Sequence, residues 1–186
     1  MVKARVSGKK TSTTFAYMAI GAKHMLKLAE ESREGQLYAL VASLIFSAFT
    51  LEAYFNHLGK LRNKEWDEIE RKYPKLEKYK LFATATNINV DFNVRPYCTL
   101  KKLFEFRDRM AHGKTTTERL SICIEAYEDP LPQFFSENDW QAFATLDTAR
   151  QAIKDVEVLI KELHTSSGYL GNPFKRLGSA IHSVTQ

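Results

Sequence analysis

The chain has 186 residues, a length that favours one domain with its own core and excludes a need for disulfides or structural metals. With 44% hydrophobic and 26% charged residues, its composition is that of a soluble globular protein and not that of a disordered one. The net charge of +5 is concentrated at the ends, because residues 1–29 and 163–186 carry Lys and Arg but no acid. We expect these ends either to bind a polyanion or to serve solubility alone.

The cysteines and the apolar runs indicate the cellular compartment in which the protein is expected. Cys98 and Cys123 show no CxxC spacing and are too few for a disulfide framework, which favours a reducing, cytoplasmic setting. No apolar run follows the basic N-terminus, so a signal peptide is not expected. Residues 35–51 carry no charge, but this length is at the lower edge of what spans a bilayer. We therefore expect a buried central helix and no membrane.

The first part of the chain predicts a basic arm followed by two long helices. Residues 1–12 are expected to form a flexible basic arm. A helix is predicted from about 13 to 32, because Ser and Thr caps precede apolar residues at helical spacing. Gly35 breaks this helix, and a second, more apolar helix is predicted from about 36 to 59.

Shorter elements are predicted in the middle of the chain. The charged stretch 60–82 keeps a rough helical rhythm that Pro74 interrupts, which indicates one or two short surface helices. Residues 86–94 have no helical period and are expected to form a loop. Pro96 suits the first turn of another helix, and Gly113 is expected to end that helix.

The last third of the chain predicts one extended and two helical elements. Alternating apolar residues predict a short extended segment near 118–127. Ser136 and Asp139 have the spacing of a capping box, which predicts the start of a long helix that ends near His164. A last short helix is expected in the tail, with Asn172 as its cap.

Together these elements predict an all-α fold, an up-and-down bundle of four to five main helices. The bundle is expected to occupy residues 13–165, preceded by the basic arm and followed by a tail at 166–186. The sequence shows no internal repeat and no heptad array, so a single bundle accounts for all of the long helices.

The stretch FEFRDRMAHGK, residues 104–114, combines a core-like apolar spacing with an Arg-Asp-Arg cluster and a histidine. Each residue of a helix turns by about 100°, so Asp108 lies on the same side as His112, and Arg109 is also a neighbour of His112. Arg107 lies about 140° away from His112 on the same helix. The two residues could serve one substrate more readily if two copies of the helix faced each other.

These residue types suit the cleavage of a phosphodiester. Arg107 offers a planar fork of donors that matches a phosphate, and a histidine such as His112 can take a proton from a hydroxyl. Asp108 could fix the tautomer of His112. Arg and His without an acidic metal cluster favour a metal-independent reaction, in which the 2′-hydroxyl of RNA attacks and a cyclic phosphate forms. The alternative interpretation is a solvated helix face that ends at a glycine.

The string FRDRMAHG resembles the R-x-x-x-x-H motif of the HEPN superfamily, small α-helical domains often found in RNases of defence and toxin–antitoxin systems. A polar residue commonly follows the arginine of that motif, as Asp108 does here. Residues 43–58, SLIFSAFTLEAYFNHL, resemble the preceding core helix of such domains. The resemblance covers roughly residues 13–165, whereas the stretch 115–135 and the basic tail match no feature of the family.

The resemblance implies a homodimer whose two motifs face each other across a shared cleft, with RNA as the substrate. Arg107 and His112 would be catalytic, and Asp108 would be their polar support. Many relatives are instead non-catalytic and bind nucleotides, RNA or protein partners. An antitoxin or a nucleotidyltransferase is the further partner that the resemblance implies.

Further candidate residues for substrate binding are Arg109, Lys114, Glu52 and Asn56. Glu52 stands amid apolar residues, and the alternative to a place in the site is an internal pair with an Arg or a Tyr. The histidines outside the motif have no partner at the spacing of a metal site, and no nucleotide-cofactor motif is present. We therefore expect neither a metal nor a cofactor.

Overall fold

The computed structural model describes residues 5–115, 117 and 138–185. Over these ranges the chain is mostly helical, which confirms the predicted all-α bundle. The helices are α1 (Thr14–Glu31), α2 (Gln36–Arg62), α3 (Trp66–Ile69), α4 (Lys75–Ala85), α5 (Tyr97–His112), α6 (Asp139–Phe143) and α7 (Leu146–Ser166). Two strands, β1 (Arg5–Ser12) and β2 (Gly178–Thr185), pair in an antiparallel sheet. The extended segment predicted near 118–127 lies outside the described residues.

Helix α2 forms the centre of the bundle. It packs against α1, α4, α5 and α7, and its most deeply buried side chains include Leu44, Leu51, Tyr54 and Leu58. Among the helices described, α2 is long and apolar enough to cross a membrane, a test that the core helix of a soluble protein also passes. In this fold the neighbouring helices supply the apolar surroundings that such a helix requires.

Three hydroxyl side chains on α2 are buried, and each has a hydrogen-bond partner. Ser43 Oγ donates to Ala22 O of α1 at 2.9 Å, and Ser47 Oγ donates to Ser43 O at 2.9 Å. Thr50 Oγ1 donates to Phe46 O at 2.7 Å. These bonds remove most of the cost of burying a polar group, and the bond of Ser43 also joins α2 to α1.

Gly59, near the end of α2, allows Trp66 to pack directly on the helix backbone. A Cβ at residue 59 would overlap the indole ring, so only glycine fits here. Trp66 begins α3 and is 2% exposed, and its ring also contacts Phe82 of α4, with the ring centroids 5.2 Å apart. This contact holds α3 and α4 against α2 and thereby brings the lysines of α4 beside α5.

The long helix predicted from Ser136 is interrupted. Ser136 itself lies outside the described residues, and a capping box of Asn138 and Gln141 begins the five-residue helix α6. Thr145 then begins α7, because its Oγ1 accepts a hydrogen bond from the backbone N–H of Thr148 at 3.1 Å. A capping residue takes a non-helical backbone conformation, so this second cap explains the break.

The expectation of a flexible arm over residues 1–12 is wrong for residues 5–12, which form β1. The register of β1 on β2 places Lys9 opposite Ile181, and every residue of β1 is exposed. The two strands, called the ribbon below, are joined to the bundle by a hydrogen bond from Thr13 N to Leu177 O at 2.9 Å. Between the bundle and β2, Asn172 caps a three-residue 3₁₀ helix, Pro173–Lys175, where the sequence predicts a last short helix.

Candidate functional site

Arg107 and His112 lie on the last two turns of α5 and open onto one groove between α2 and α5. The groove has a volume of about 360 Å³, and we call it the Arg–His groove. The two residues predicted to be catalytic therefore share one surface within a single chain. The residues that line this groove are Ile45, Phe49, Arg107, Met110, Ala111 and His112.

Two carboxylates and one aromatic ring hold the guanidinium of Arg107. Its Nη1 donates to Asp108 Oδ1 at 2.8 Å, and its Nη2 donates to Glu52 Oε2 of α2 at 3.2 Å. The guanidinium carbon lies 5.5 Å from the centroid of the Phe49 ring, in a cation–π contact. The side chain is 21% exposed, so water screens these contacts less than it screens surface ion pairs.

Glu52 is the only charged residue of α2 before the last turn of that helix. Its carboxylate is partly buried and pairs with Arg107, so the alternative of an internal pair with an arginine is the one observed. A carboxylate that is partly removed from water requires a cation, and α5 supplies it. Glu52 therefore orients Arg107 across the contact between α2 and α5.

Asp108 binds two cations and does not contact His112. Its Oδ1 accepts hydrogen bonds from Lys75 Nζ of α4 and from Arg107 Nη1, each at 2.8 Å. Burial alone would raise the pKa of Asp108, but the hydrogen bonds and charges of Lys75 and Arg107 outweigh it and hold that pKa below its ordinary value. The expectation that Asp108 orients the imidazole of His112 is therefore wrong for this structure, because two cations bind the carboxylate instead.

His112 is the last residue of α5 and is exposed. Gly113 ends the helix with φ −57° and ψ 135°, an extended conformation and not the left-handed one common for a glycine after a helix. A Cβ at residue 113 would lie 2.7 Å from the backbone oxygen of Arg109, a clash that glycine avoids. The imidazole is thus accessible to a substrate that enters the Arg–His groove.

Arg109 and Lys114 lie outside the Arg–His groove. Arg109 Nη1 donates to Asp139 of α6 at 3.3 Å, and the side chain lines a separate groove between α5 and α6. Lys114 is exposed just beyond the end of α5. The guanidinium of Arg109 does not join that of Arg107, because the face of α5 that carries Arg109 packs toward α6.

Asn56 also binds a neighbouring side chain outside the Arg–His groove. It lies one turn after Glu52 on α2, and its Oδ1 accepts a hydrogen bond from Lys78 Nζ of α4 at 3.1 Å. Sequence reasoning missed Lys75 and Lys78 as participants, because α4 reaches α5 and α2 only through tertiary packing. Phe49 has a local signal, since it precedes Glu52 by three residues and so shares its face of the helix.

No family model, curated protein or solved structure matches this chain. Within residues 5–115, 117 and 138–185, no group of three or more His, Cys, Asp or Glu side chains could hold a metal ion.

Asp108→Asn removes the carboxylate that Lys75 and Arg107 share. We expect it to lower the free energy of unfolding at pH 7 by up to about 1 kcal/mol, as for other part-exposed ion pairs. Because the pKa of Asp108 is lower in the folded chain than in the unfolded chain, its contribution is complete above about pH 4 and is lost as the pH falls further. The free energy of unfolding, measured in urea, should fall less between pH 7 and pH 3 in the variant than in the wild type.

The control for this measurement is Asp67→Asn, at an exposed carboxylate that pairs with Lys60 and does not line the Arg–His groove. It measures the effect of the same substitution outside the site. Equal losses of stability in the wild type and in Asp108→Asn between pH 7 and pH 3 would contradict the role assigned to this carboxylate.

Proposed function

We propose that the chain is a metal-independent endoribonuclease of the HEPN type that acts as a homodimer in the cytoplasm. The observation that carries the proposal is that Arg107 and His112, the two residues of the R-x-x-x-x-H motif, line one groove. An arginine held by carboxylates beside an accessible imidazole suits phosphodiester cleavage. The role in keeping with this activity is that of a toxin or phage-defence effector, with an antitoxin or a nucleotidyltransferase as a further partner.

In the proposed reaction, His112 accepts the proton of a ribose 2′-hydroxyl, and the 2′-oxygen attacks the adjacent phosphorus. The bond between phosphorus and the 5′-oxygen breaks, which leaves a 2′,3′-cyclic phosphate and a 5′-hydroxyl end. The leaving 5′-oxygen takes a proton from water or from the imidazole of the second copy. Arg107 stabilises the negative charge that develops on the phosphoryl oxygens.

The ion pairs of Arg107 are compatible with this role. The hydrogen bonds to Glu52 and Asp108 use one N–H of each Nη atom, so each Nη keeps a second N–H for a phosphate oxygen. The carboxylates reduce the positive charge that a phosphate meets, but they also fix the orientation of the guanidinium before a substrate arrives.

One face of α2 supports the homodimer. Tyr38, Ile45 and Phe49 fall on one side of this helix, and the same side continues to Glu52. Tyr38 is 79% exposed, whereas Ile45 and Phe49 are partly buried. A second copy that covers this apolar stripe would place its own Arg–His groove next to the first, as a shared cleft requires.

The positive charge of the ribbon supports RNA as the polyanion that the chain binds. β1 and β2 carry Arg5, Lys9 and Lys10 and no acid, and Lys175 and Arg176 precede β2. An exposed, acid-free surface of this kind attracts the phosphate backbone of RNA, and such binding weakens as the salt concentration rises.

A second function, RNA binding without cleavage, is favoured by the contacts of Asp108. This carboxylate binds Lys75 instead of His112, so the imidazole lacks the partner that orients the histidine in many acid–base sites. In such a module, Arg107 would still bind a phosphate of RNA, but no cyclic-phosphate ends would form.

His112→Ala is expected to slow cleavage of single-stranded RNA in EDTA by about 10²–10⁴-fold, because it removes the proton acceptor. Arg107→Ala should slow the reaction by a similar order, about 10²–10³-fold, because the phosphoryl charge is no longer stabilised. The measurement is the single-turnover rate at which 2′,3′-cyclic phosphate ends appear.

Two matched controls accompany these variants. His24→Ala, at an exposed histidine of α1, and Arg109→Ala, outside the Arg–His groove, should both cleave at the wild-type rate. Equal rates in the wild type, His112→Ala and Arg107→Ala would refute the nuclease. A wild type that binds RNA and never cleaves it would support the second function.

Tyr38→Glu is expected to convert the dimer into monomers at micromolar concentration, because it places a charge in the apolar stripe of α2. Sedimentation velocity measures this change, and cleavage should fall along with the dimer fraction. Tyr17→Glu, at a 49% exposed tyrosine of α1, is the control and should remain dimeric. A wild type that sediments as a monomer and still cleaves RNA would contradict the shared cleft.

Replacing Arg5, Lys9 and Lys10 together by Ala should weaken RNA binding and flatten its salt dependence. Each contact with a phosphate of single-stranded RNA contributes about 0.7 to the slope of log K against log salt concentration, so the slope should fall by up to about 2. Fluorescence anisotropy of labelled RNA between 50 and 200 mM salt, with the His112→Ala chain as background, measures the slope.

The control for the ribbon variant removes the same charge from the bundle surface, through Ala at Lys27, Lys60 and Lys80. This variant should keep the wild-type slope. A ribbon variant with an unchanged slope would show that the ribbon does not contact RNA.

A further inference from the structure

A second groove, of about 430 Å³, lies between α2, α4 and α5, and we call it the lysine groove. Glu52 and Asp108 line this groove, whereas Arg107 lines the Arg–His groove and binds both carboxylates. The contacts of Arg107 thus form the wall between the two grooves. The other charged residues that line the lysine groove are Lys75, Lys78, Lys101 and Glu105.

Lys78 is a buried cation at the lysine groove. The residue is 6% exposed, and its Nζ donates to the neutral side chain of Asn56 at 3.1 Å. Within the described parts of the chain, no carboxylate lies within 4.0 Å of this ammonium. An ammonium has three donors and a full charge, and its burial is costly unless a counter-charge is present.

The carboxylates of the lysine groove do not supply that counter-charge. With Arg107 included, four cations face three carboxylates, so one positive charge remains, and it lies at Lys78. Glu52 pairs with Arg107 at 3.2 Å, Asp108 pairs with both Lys75 and Arg107 at 2.8 Å each, and Glu105 pairs with Lys101 at 3.9 Å.

We propose that the lysine groove binds a phosphate group, whose charge pairs with the ammonium of Lys78. Lysine is a common ligand of phosphate, and Lys75 and Lys101 supply further ammonium groups on the same groove. Its volume suits a phosphate carried on a small organic group, and the partly exposed ring of Tyr73 gives that group an apolar surface. The phosphate belongs either to a free small molecule or to an RNA chain, and both present the same chemistry.

Thermal unfolding in inorganic phosphate, with ionic strength held constant by chloride, tests the site in the full chain. Phosphate at several times its Kd should raise the Tm of the wild type by about 2–4 °C, because a ligand of the folded state stabilises it. Lys78→Met should lose this rise. In phosphate-free buffer Lys78→Met should unfold at the same or a higher temperature than the wild type, because an apolar side chain replaces an uncompensated buried charge.

Lys80→Met is the matched control, at an exposed lysine of α4 that pairs with Glu77. Lys80→Met should keep the full rise in Tm with phosphate. Comparing the two variants separates binding at Lys78 from the general stabilisation that phosphate gives as a salt. An equal response in Lys78→Met and Lys80→Met would overturn the proposal. So would a lower Tm of Lys78→Met in phosphate-free buffer, because it would show that the protein itself compensates the charge.

Two further probes separate the sources of the phosphate, in a His112→Ala chain that leaves RNA intact. A rise in Tm with ribose 5-phosphate that Lys78→Met abolishes supports the site and assigns it to a free small molecule. A rise with an RNA oligonucleotide lacking terminal phosphates that Lys78→Met reduces supports the site and assigns it to the RNA backbone, whereas no Lys78-dependent rise with either probe overturns it. These changes in Tm do not depend on cleavage. A failure of this site can therefore be distinguished from a failure of the proposed nuclease activity.

Discussion

The burial of α2 is the constraint on which the rest of this structure depends. A helix of 27 residues that is apolar on most sides cannot be covered by one neighbour, so α1, α4, α5 and α7 all pack against it. The buried hydroxyls of α2 donate to helix carbonyls, and Glu52 is the only charged residue of α2 before its last turn. Arg107 meets that charge from α5. The candidate site thus lies where the central helix presents an acid to its neighbour.

The helices could be predicted from the sequence because their signals are local. Apolar periodicity together with Gly35, Pro96 and Gly113 places the ends of α1, α2 and α5 within about three residues of those observed. The ribbon could not be predicted, because its strands lie at opposite ends of the chain and the side chains of residues 5–12 and 178–183 are all exposed. The break before α7 depends on Thr145, whose capping bond competes with a helix that apolar spacing alone would continue.

Within the candidate site, the structure brings Arg107 and His112 to one groove but gives Asp108 a partner that the sequence did not predict. An ideal helix places Arg107 and His112 about 140° apart, yet both line one groove. That angle describes where side chains leave the backbone, whereas the long stem of arginine carries its guanidinium to Phe49 and Glu52. Asp108 shows the opposite case, since its spacing favours contact with His112 but a lysine from another helix binds it instead. The length of the arginine side chain and a charge from a neighbouring helix determine these two contacts, and the angular position on α5 does not.

The carboxylate of Asp108 lies between the two grooves and binds one cation from each. Lys75 and Arg107 approach one oxygen of Asp108 from different helices, each at 2.8 Å, so the carboxylate shares its charge between a cation of either groove. If a phosphate bound Lys75 as proposed, it would weaken the attraction between Lys75 and Asp108. Asp108 would then interact more fully with Arg107, and the positive charge offered in the Arg–His groove would fall. By thermodynamic linkage, a phosphate on Arg107 must weaken binding near Lys75 to the same extent. Occupation of the lysine groove would therefore oppose phosphate binding at Arg107 without any movement of the helices.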